Sequence, residues 1–354
     1  MRLRANLRSP FGEVVTRDVV DGRWAEPSGA ADDTIGQSMW ALPGLADAHA
    51  HLAARELNTE PGNLSEAVQR ARDALTAGLT LILDKGWCDD TVVQLISQMP
   101  SGTRPDIEAA ARIIATEGGY FGGFGHEIDG SEIDKTVRES AGEGAGWVKL
   151  IGDWPRRGVG PRANFTPDEL ATAVTAAEAG GARVAIHTMA REVPSQAVAA
   201  GVHSIEHGIF LEEADLAPLG SRGGMWVPTV QRVETTVADL GAESSGGRLL
   251  TEGLERIRRL LPLALEAGVH VLAGTDLIGS PAAVAAEAIR LGDYGLTSRQ
   301  VVAAVSTSVF DATGRDSAFT PGTTANGVFF PANPVEDVAV LSHPALVMRR
   351  GELV

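Results

Sequence analysis

Leu45-Ala46-Asp47-Ala48-His49-Ala50-His51-Leu52 is the stretch on which the reading of this chain turns. It is a short apolar run, introduced by Pro43-Gly44, with two histidines two residues apart near its end. Its length suits a strand. Side chains alternate faces along a strand, so His49 and His51 share a face. Two imidazoles at that spacing can share one metal ion.

Seven further short apolar runs follow this one, at residues 79–84, 107–115, 147–151, 183–187, 204–207, 225–230 and 269–275. Helical stretches separate most of them. Residues 64–77 carry apolar positions at helical spacing and stop at Gly78. Thr166-Pro167-Asp168-Glu169 is a helix start, with Thr as cap, Pro first inside and Glu at the capping-box position. Residues 249–267 read as a helix ending at Gly268, and Thr297 to Gln300 form a second capping-box start. Alternation of strand and helix predicts a parallel sheet. Eight units over roughly 250 residues fit an α/β fold closed into a (β/α)8 barrel, a TIM-like barrel.

The two ends differ from this rhythm. Residues 1–43 and 320–354 hold turn residues and short β-like runs, such as 338–341 and 345–348. Neither is long enough to bury a core alone. Together they are expected to make a small β-sandwich, leaving 44–319 as the barrel.

The 354 residues carry a formal net charge of −16, with 44% hydrophobic and 21% charged residues. So acidic a surface repels phosphate backbones and anionic lipid, which argues against nucleic acid and membrane partners and leaves a small molecule. Cys88 is the single cysteine, so neither a disulfide framework nor a thiolate metal site is available. Met1 to Asn6 lead into no apolar run, and no apolar stretch is long enough to span a bilayer. A cytoplasmic location is the default expectation.

Polar residues mark the ends of the apolar runs. Asp84 ends the second, Lys149 lies within the fourth, His187 ends the fifth, His207 ends the sixth and Asp276 follows the eighth. Barrel active sites are built at the C-terminal ends of the strands. A buried lysine or histidine is costly unless paired or coordinated, so the set points to one metal-binding mouth. Strand alternation turns Glu206 away from His207, toward a barrel–helix contact. His203, His270 and His343 fall at positions that suit packing, and Cys88 reads as an inert thiol.

The ordered motifs resemble the amidohydrolase superfamily, in its imidazolonepropionase-like and prolidase-like branch. They are Pro43 to His51, Ala77-Gly78-Leu79-Thr80, Val148-Lys149, Ile186-His187-Thr188, Ser204 to Gly208, Val227-Pro228-Thr229 and Ala273-Gly274-Thr275-Asp276, with Gly351 at the last sandwich turn. The resemblance implies two divalent metal ions. His49, His51 and Asp276 would hold one, His187 and His207 the other, and Lys149, carboxylated by CO2, would bridge them. Imidazole and carboxylate ligands suit zinc, with iron, manganese and cobalt left open. A hydroxide shared by the ions would attack an amide carbonyl in a dipeptide, an N-acyl amino acid or a cyclic amide, with Asp276 as general base and then acid.

Three alternatives stand beside this reading: a lactonase or esterase on the same metals, a mononuclear deaminase relative, and a barrel that binds without catalysis. Substrate contacts are expected from loops at the same mouth. His126 follows a glycine and aromatic loop, Trp154, Arg156 and Arg157 follow strand four, and Gln231 and Arg232 follow strand seven. An arginine there could hold a substrate carboxylate bidentately. Barrel hydrolases of this kind often self-associate, so a homo-oligomer is one option.

Overall fold

A computed structural model describes residues 2–54, 62–156 and 158–354. The barrel strands, counted one to eight, are Leu45–Ala50, Leu79–Asp84, Asp106–Ala109, Trp147–Ile151, Arg183–Thr188, Ser204–His207, Met225–Val227 and His270–Val271. Neighbours pair in parallel from strand one to three and from four to eight. A bridge from Ala109 to Gly146 joins three to four. Closure comes from the Ala48 amide donating to the Ala273 carbonyl at 2.9 Å and the Asp276 amide donating to His49 at 2.8 Å.

Helices cover the outside of the barrel. Pro167–Ala179 starts where the sequence places it, with the Thr166 and Glu169 capping box formed and Ala173, Ala176 and Ala177 buried. Ser298–Ala304 starts with the same device at Thr297 and Gln300. Below the barrel mouth the interior is filled by Leu81, Leu83, Trp147, Ala185, Met225 and Leu272, whose burial removes the centre of the barrel from water.

Three elements depart from the sequence reading. The stretch 107–115 is two strands, Asp106–Ala109 and Ile113–Thr116. Between them Ala111 and Ile113 bond to the backbone of Trp87, which draws the chain out of the ladder. Strand seven stops at Val227, because Pro228 has no N–H to give and Thr229 takes a left-handed φ of 46°. The run 338–341 is a 3₁₀ turn, Val338–Ser342, started by the Asp337 side chain accepting the Ala339 amide.

Both chain ends build β-structure beside the barrel. One sheet holds Leu3–Arg8, Val14–Val20, Arg23–Ala25 and Asp33–Ile35. The other holds Trp40–Leu42, Gly327–Phe330, Leu346–Arg349 and Glu352–Leu353. Leu7, Trp24, Phe319, Phe329 and Met348 share one core. The last hairpin turns at Arg350 and Gly351, both left-handed at φ 52° and 82°. Arg349, 1% exposed, ties this hairpin to the barrel, with Nη2 2.5 Å from Asp106 Oδ1. No helix among the described residues is long and apolar enough to cross a membrane.

Candidate metal centre

The first strand presents its histidines through an irregularity. Its ladder with strand two shifts register between Asp47 and Ala50, and His49 and His51 both line the cavity at the barrel mouth. Asp47, fully buried, accepts from the His49 amide, the Thr275 amide and the Thr275 hydroxyl, which ties strand one to the end of strand eight. Asp84 accepts from the Leu52 and Gly86 amides and so caps the turn after strand one. The His51 ring meets Gly86 O at 2.7 Å through Nδ1, leaving Nε2 for the cavity.

Asp276 takes φ 39° at the end of strand eight. Its Oδ1 lies 3.5 Å from both His49 Nε2 and His51 Nε2, and its Oδ2 lies 3.9 Å from His207 Nε2. One donor atom from each of His49, His51 and Asp276 falls within 4.8 Å of the others, the spacing of ligands around a single cation. The imidazoles continue as a row: ring centres are 5.2 Å apart from His51 to His49, 5.4 Å from His49 to His207 and 4.5 Å from His207 to His187. Lys149 lines the same cavity, and its buried Nζ has no hydrogen-bond partner among the described residues.

Burial sets the charge state of this cluster. It drives the His49 imidazole down to about 4 and His207 to about 3, and His187 well below the usual range, so all three are neutral and free to donate lone pairs. Burial lowers Lys149 to about 8. For Asp276 burial pulls upward, but the neighbouring His49, His51 and His207 outweigh it and hold the carboxyl well below its ordinary value. Neutral imidazoles, an ionised carboxylate and an orphaned lysine nitrogen form a donor set that fits divalent cations.

Two buried groups beside this cluster escaped the sequence reading. Glu206 faces inward, 0% exposed, with Oε2 2.6 Å from His49 Nδ1. Alternation predicted the opposite because it placed His207 inward and turned Glu206 out. The structure turns His207 inward by another route, a left-handed φ of 62° that breaks the alternation after Glu206. Lys85, also 0% exposed, lies 3.4 Å from Glu206. Its signal was available, since Leu81, Leu83 and Lys85 share one strand parity and the two leucines face the barrel interior.

The cavity above the cluster has a volume of about 790 Å³. Tyr120, Phe121 and Trp154 form an aromatic wall, their ring centres 4.7 to 5.0 Å apart in edge-to-face contacts. Trp154 also lies 5.7 Å from the His187 ring. Arg156 lines the rim, but its Nη2 donates to Asn164 Oδ1 at 2.8 Å. Arg232 lines the cavity, and its guanidinium has no hydrogen-bond or ion-pair partner among the described residues. His126 does not join the wall: it is exposed on the short strand His126–Ile128, and Tyr120 and Phe121 of the preceding loop line the cavity in its place. Gln231, unlike Arg232, does not line the cavity, and its backbone amide donates to Glu287 at 2.9 Å. Arg157 lies outside the described residues. Cys88 is half-buried and burial pushes its thiol up, as an inert thiol requires.

A barrel with this mouth is the architecture of a metal-dependent hydrolase, and the chain belongs to the amidohydrolase family, which it matches over residues 40–354. It is similar to an uncharacterised protein of Mycobacterium tuberculosis, 32% identical over 361 residues that cover 94% of this chain and 90% of that one. It is also similar to ochratoxinase of Aspergillus niger, 26% identical over 232 residues, 61% of this chain and 47% of that enzyme. Among solved structures, a Xaa-Pro dipeptidase with bound methionine superposes with a TM-score of 0.84 at 22% identity, over 100% of both chains. These prolidase-like structural neighbours accord with the branch that the sequence motifs resemble.

Proposed function

We propose that this chain hydrolyses an amide bond at a centre of two divalent metal ions bridged by a carboxylated Lys149. The observation that carries the reading is Lys149 itself: a buried amine with no hydrogen-bond partner among the described residues, in a cavity it shares with His49, His51, His187, His207 and Asp276. Carboxylation turns an isolated cation into a two-oxygen anion, which removes the cost of the unpaired amine and suits neighbouring cations. His49, His51 and Asp276 would hold one ion, His187 and His207 the other, and zinc fits the nitrogen and oxygen donors. When bound, the ions would supply Lewis acidity for an attacking water and for the scissile carbonyl.

The chain supplies the rest. Asp276 has Oδ1 toward His49 and His51 and Oδ2 toward His207, which supports a role in which it would accept a proton from the attacking water and return it to the departing nitrogen. Asp276→Asn is expected to lower kcat by about 10²- to 10⁴-fold with an unchanged circular dichroism melt. Metal analysis tests the centre: two equivalents in protein prepared with bicarbonate, and one or none in Lys149→Ala. Two equivalents in Lys149→Ala would overturn the bridging role.

The cavity also supports a substrate class. Its aromatic wall, with Met189, Leu249 and Leu277, suits a bulky apolar group. Arg232 is placed to meet a carboxylate. An N-acyl amino acid or dipeptide with a large apolar side chain satisfies both, and similarity to a Xaa-Pro dipeptidase supports amide cleavage. Arg232→Gln is expected to raise KM for such acids and leave KM unchanged for the matching neutral amides. Faster turnover of lactones than of any amide in the same panel would move the function to ester hydrolysis.

A further inference from the structure

Beneath the candidate metal ligands lies a closed chain of polar contacts that the hydrolytic chemistry does not require. Lys85 Nζ is 3.4 Å from Glu206 Oε1, and Glu206 Oε2 is 2.6 Å from His49 Nδ1. Ser204 donates its hydroxyl to Glu206 Oε1 at 2.6 Å. Lys85 also sits 4.1 Å above the centre of the Trp147 ring. Lys85 and Glu206 are both 0% exposed and His49 is 1% exposed, and among the described residues none of Lys85 Nζ, Glu206 Oε2 and His49 Nδ1 has an aligned hydrogen-bond partner, so these close approaches to one another are the polar contacts they have.

Stability does not account for this arrangement. Burying two charges costs several kcal/mol per ion before their attraction is counted, and apolar residues of the same volume often serve a core as well. Around Trp147 the interior holds Leu81, Leu83, Ala185 and Leu272, while Glu108 accepts from Trp147 Nε1 at 2.8 Å and Arg183 lies 4.6 Å from its ring centre. The pair lies between that apolar filling and the imidazole of His49. What it can do there is chemical: a carboxylate at Nδ1 holds the proton on that nitrogen and leaves the lone pair on Nε2. His49 Nε2 is the atom that faces Asp276, at 3.5 Å.

We infer that Glu206 is a positioning residue that locks His49 as an Nε2 donor to metal, and that Lys85 keeps Glu206 in place as its buried counter-charge. The inference rests on the proposed reading of His49 as a metal ligand. Glu206 does not touch the substrate in this scheme and acts only through His49. Trp147 completes the socket for the Lys85 ammonium through its ring face.

The test uses the full-length protein loaded with zinc. In the wild type, long-range ¹⁵N–¹H spectra of the histidine rings should show His49 protonated at Nδ1, with its proton shifted downfield by the carboxylate. His49 protonated at Nε2 in the zinc-loaded protein would overturn the inference without any substitution. Competition against a chelator then reads zinc affinity in the variants. Glu206→Ala is expected to weaken zinc binding by about 10- to 100-fold. Glu206→Gln should recover part of the loss, because the amide oxygen still accepts from Nδ1. Lys85→Met should move the Nδ1 proton signal and weaken zinc in the same direction. Wild-type zinc affinity in folded Glu206→Ala and Lys85→Met would reduce the pair to a structural role. A wild type that binds no zinc at all would refute the metal reading instead, which separates the two failures.

Discussion

Gly274 leaves no room beside His49. A Cβ there would lie 2.5 Å from His49 Cβ and 2.8 Å from its backbone nitrogen. Gly274→Ala should therefore push strand one away from strand eight and misplace a candidate ligand. Because a misplacement of about 1 Å can cost 10²-fold, kcat/KM is expected to fall by about that factor, with weaker zinc binding in the same titration. Unchanged zinc affinity would show that the strand yields without moving the imidazole. At this scale the sequence was readable where a polar residue ended an apolar run, which is how His49, His51, His187, His207 and Asp276 stood out. It was unreadable where backbone geometry broke the strand period. The left-handed φ of His207 lets Glu206 and His207 both face the interior, and strand alternation cannot express that.

Helix starts were legible for a local reason: a capping box is a contact between residues three apart, so the sequence contains both partners. Thr166 accepts from the Glu169 amide, and the Glu169 carboxylate accepts from the Thr166 amide. Thr166→Ala should destabilise the protein by about 1 kcal/mol, read as a shift in the urea midpoint at constant slope. A shift indistinguishable from zero would mean that packing against the barrel, and not the cap, holds the first turn. Strand ends were less legible because distant partners set them. The stretch 107–115 divides where Trp87 bonds across to it, and Val338–Ser342 winds into a 3₁₀ turn although its residues favour a strand. The aromatic wall illustrates the same limit. The loop before His126 was a legible candidate for the mouth, yet Tyr120 and Phe121, not His126, line the cavity.

Across the whole molecule, stability should depend on pH through a buried carboxyl that is not among the candidate metal ligands. Glu287 is pushed up to about 8 by burial, against a usual 4.5, although the Val230 and Gln231 amides bond to it. Nearby Glu234 and Asp47 push in the same direction. Between pH 4.5 and 8 the folded state keeps a proton that the unfolded chain has released, so stability falls as pH rises through that window. Glu287→Gln should flatten this slope in urea melts taken from pH 5 to 8, and parallel slopes would show that the buried carboxyl is already ionised. The shared core of the two terminal sheets has a consequence for timing. Leu7 and Trp24 leave the ribosome before the barrel, and the residues that cover them, Phe319, Phe329 and Met348, leave after it. Strand Trp40–Leu42 likewise waits for Gly327–Phe330, its only ladder partner among the described residues. Nearly all of the barrel is synthesised in that interval, and contacts so far apart along the chain form slowly. Trp24 thus waits in water until the barrel has been made and Phe319 arrives to meet its ring.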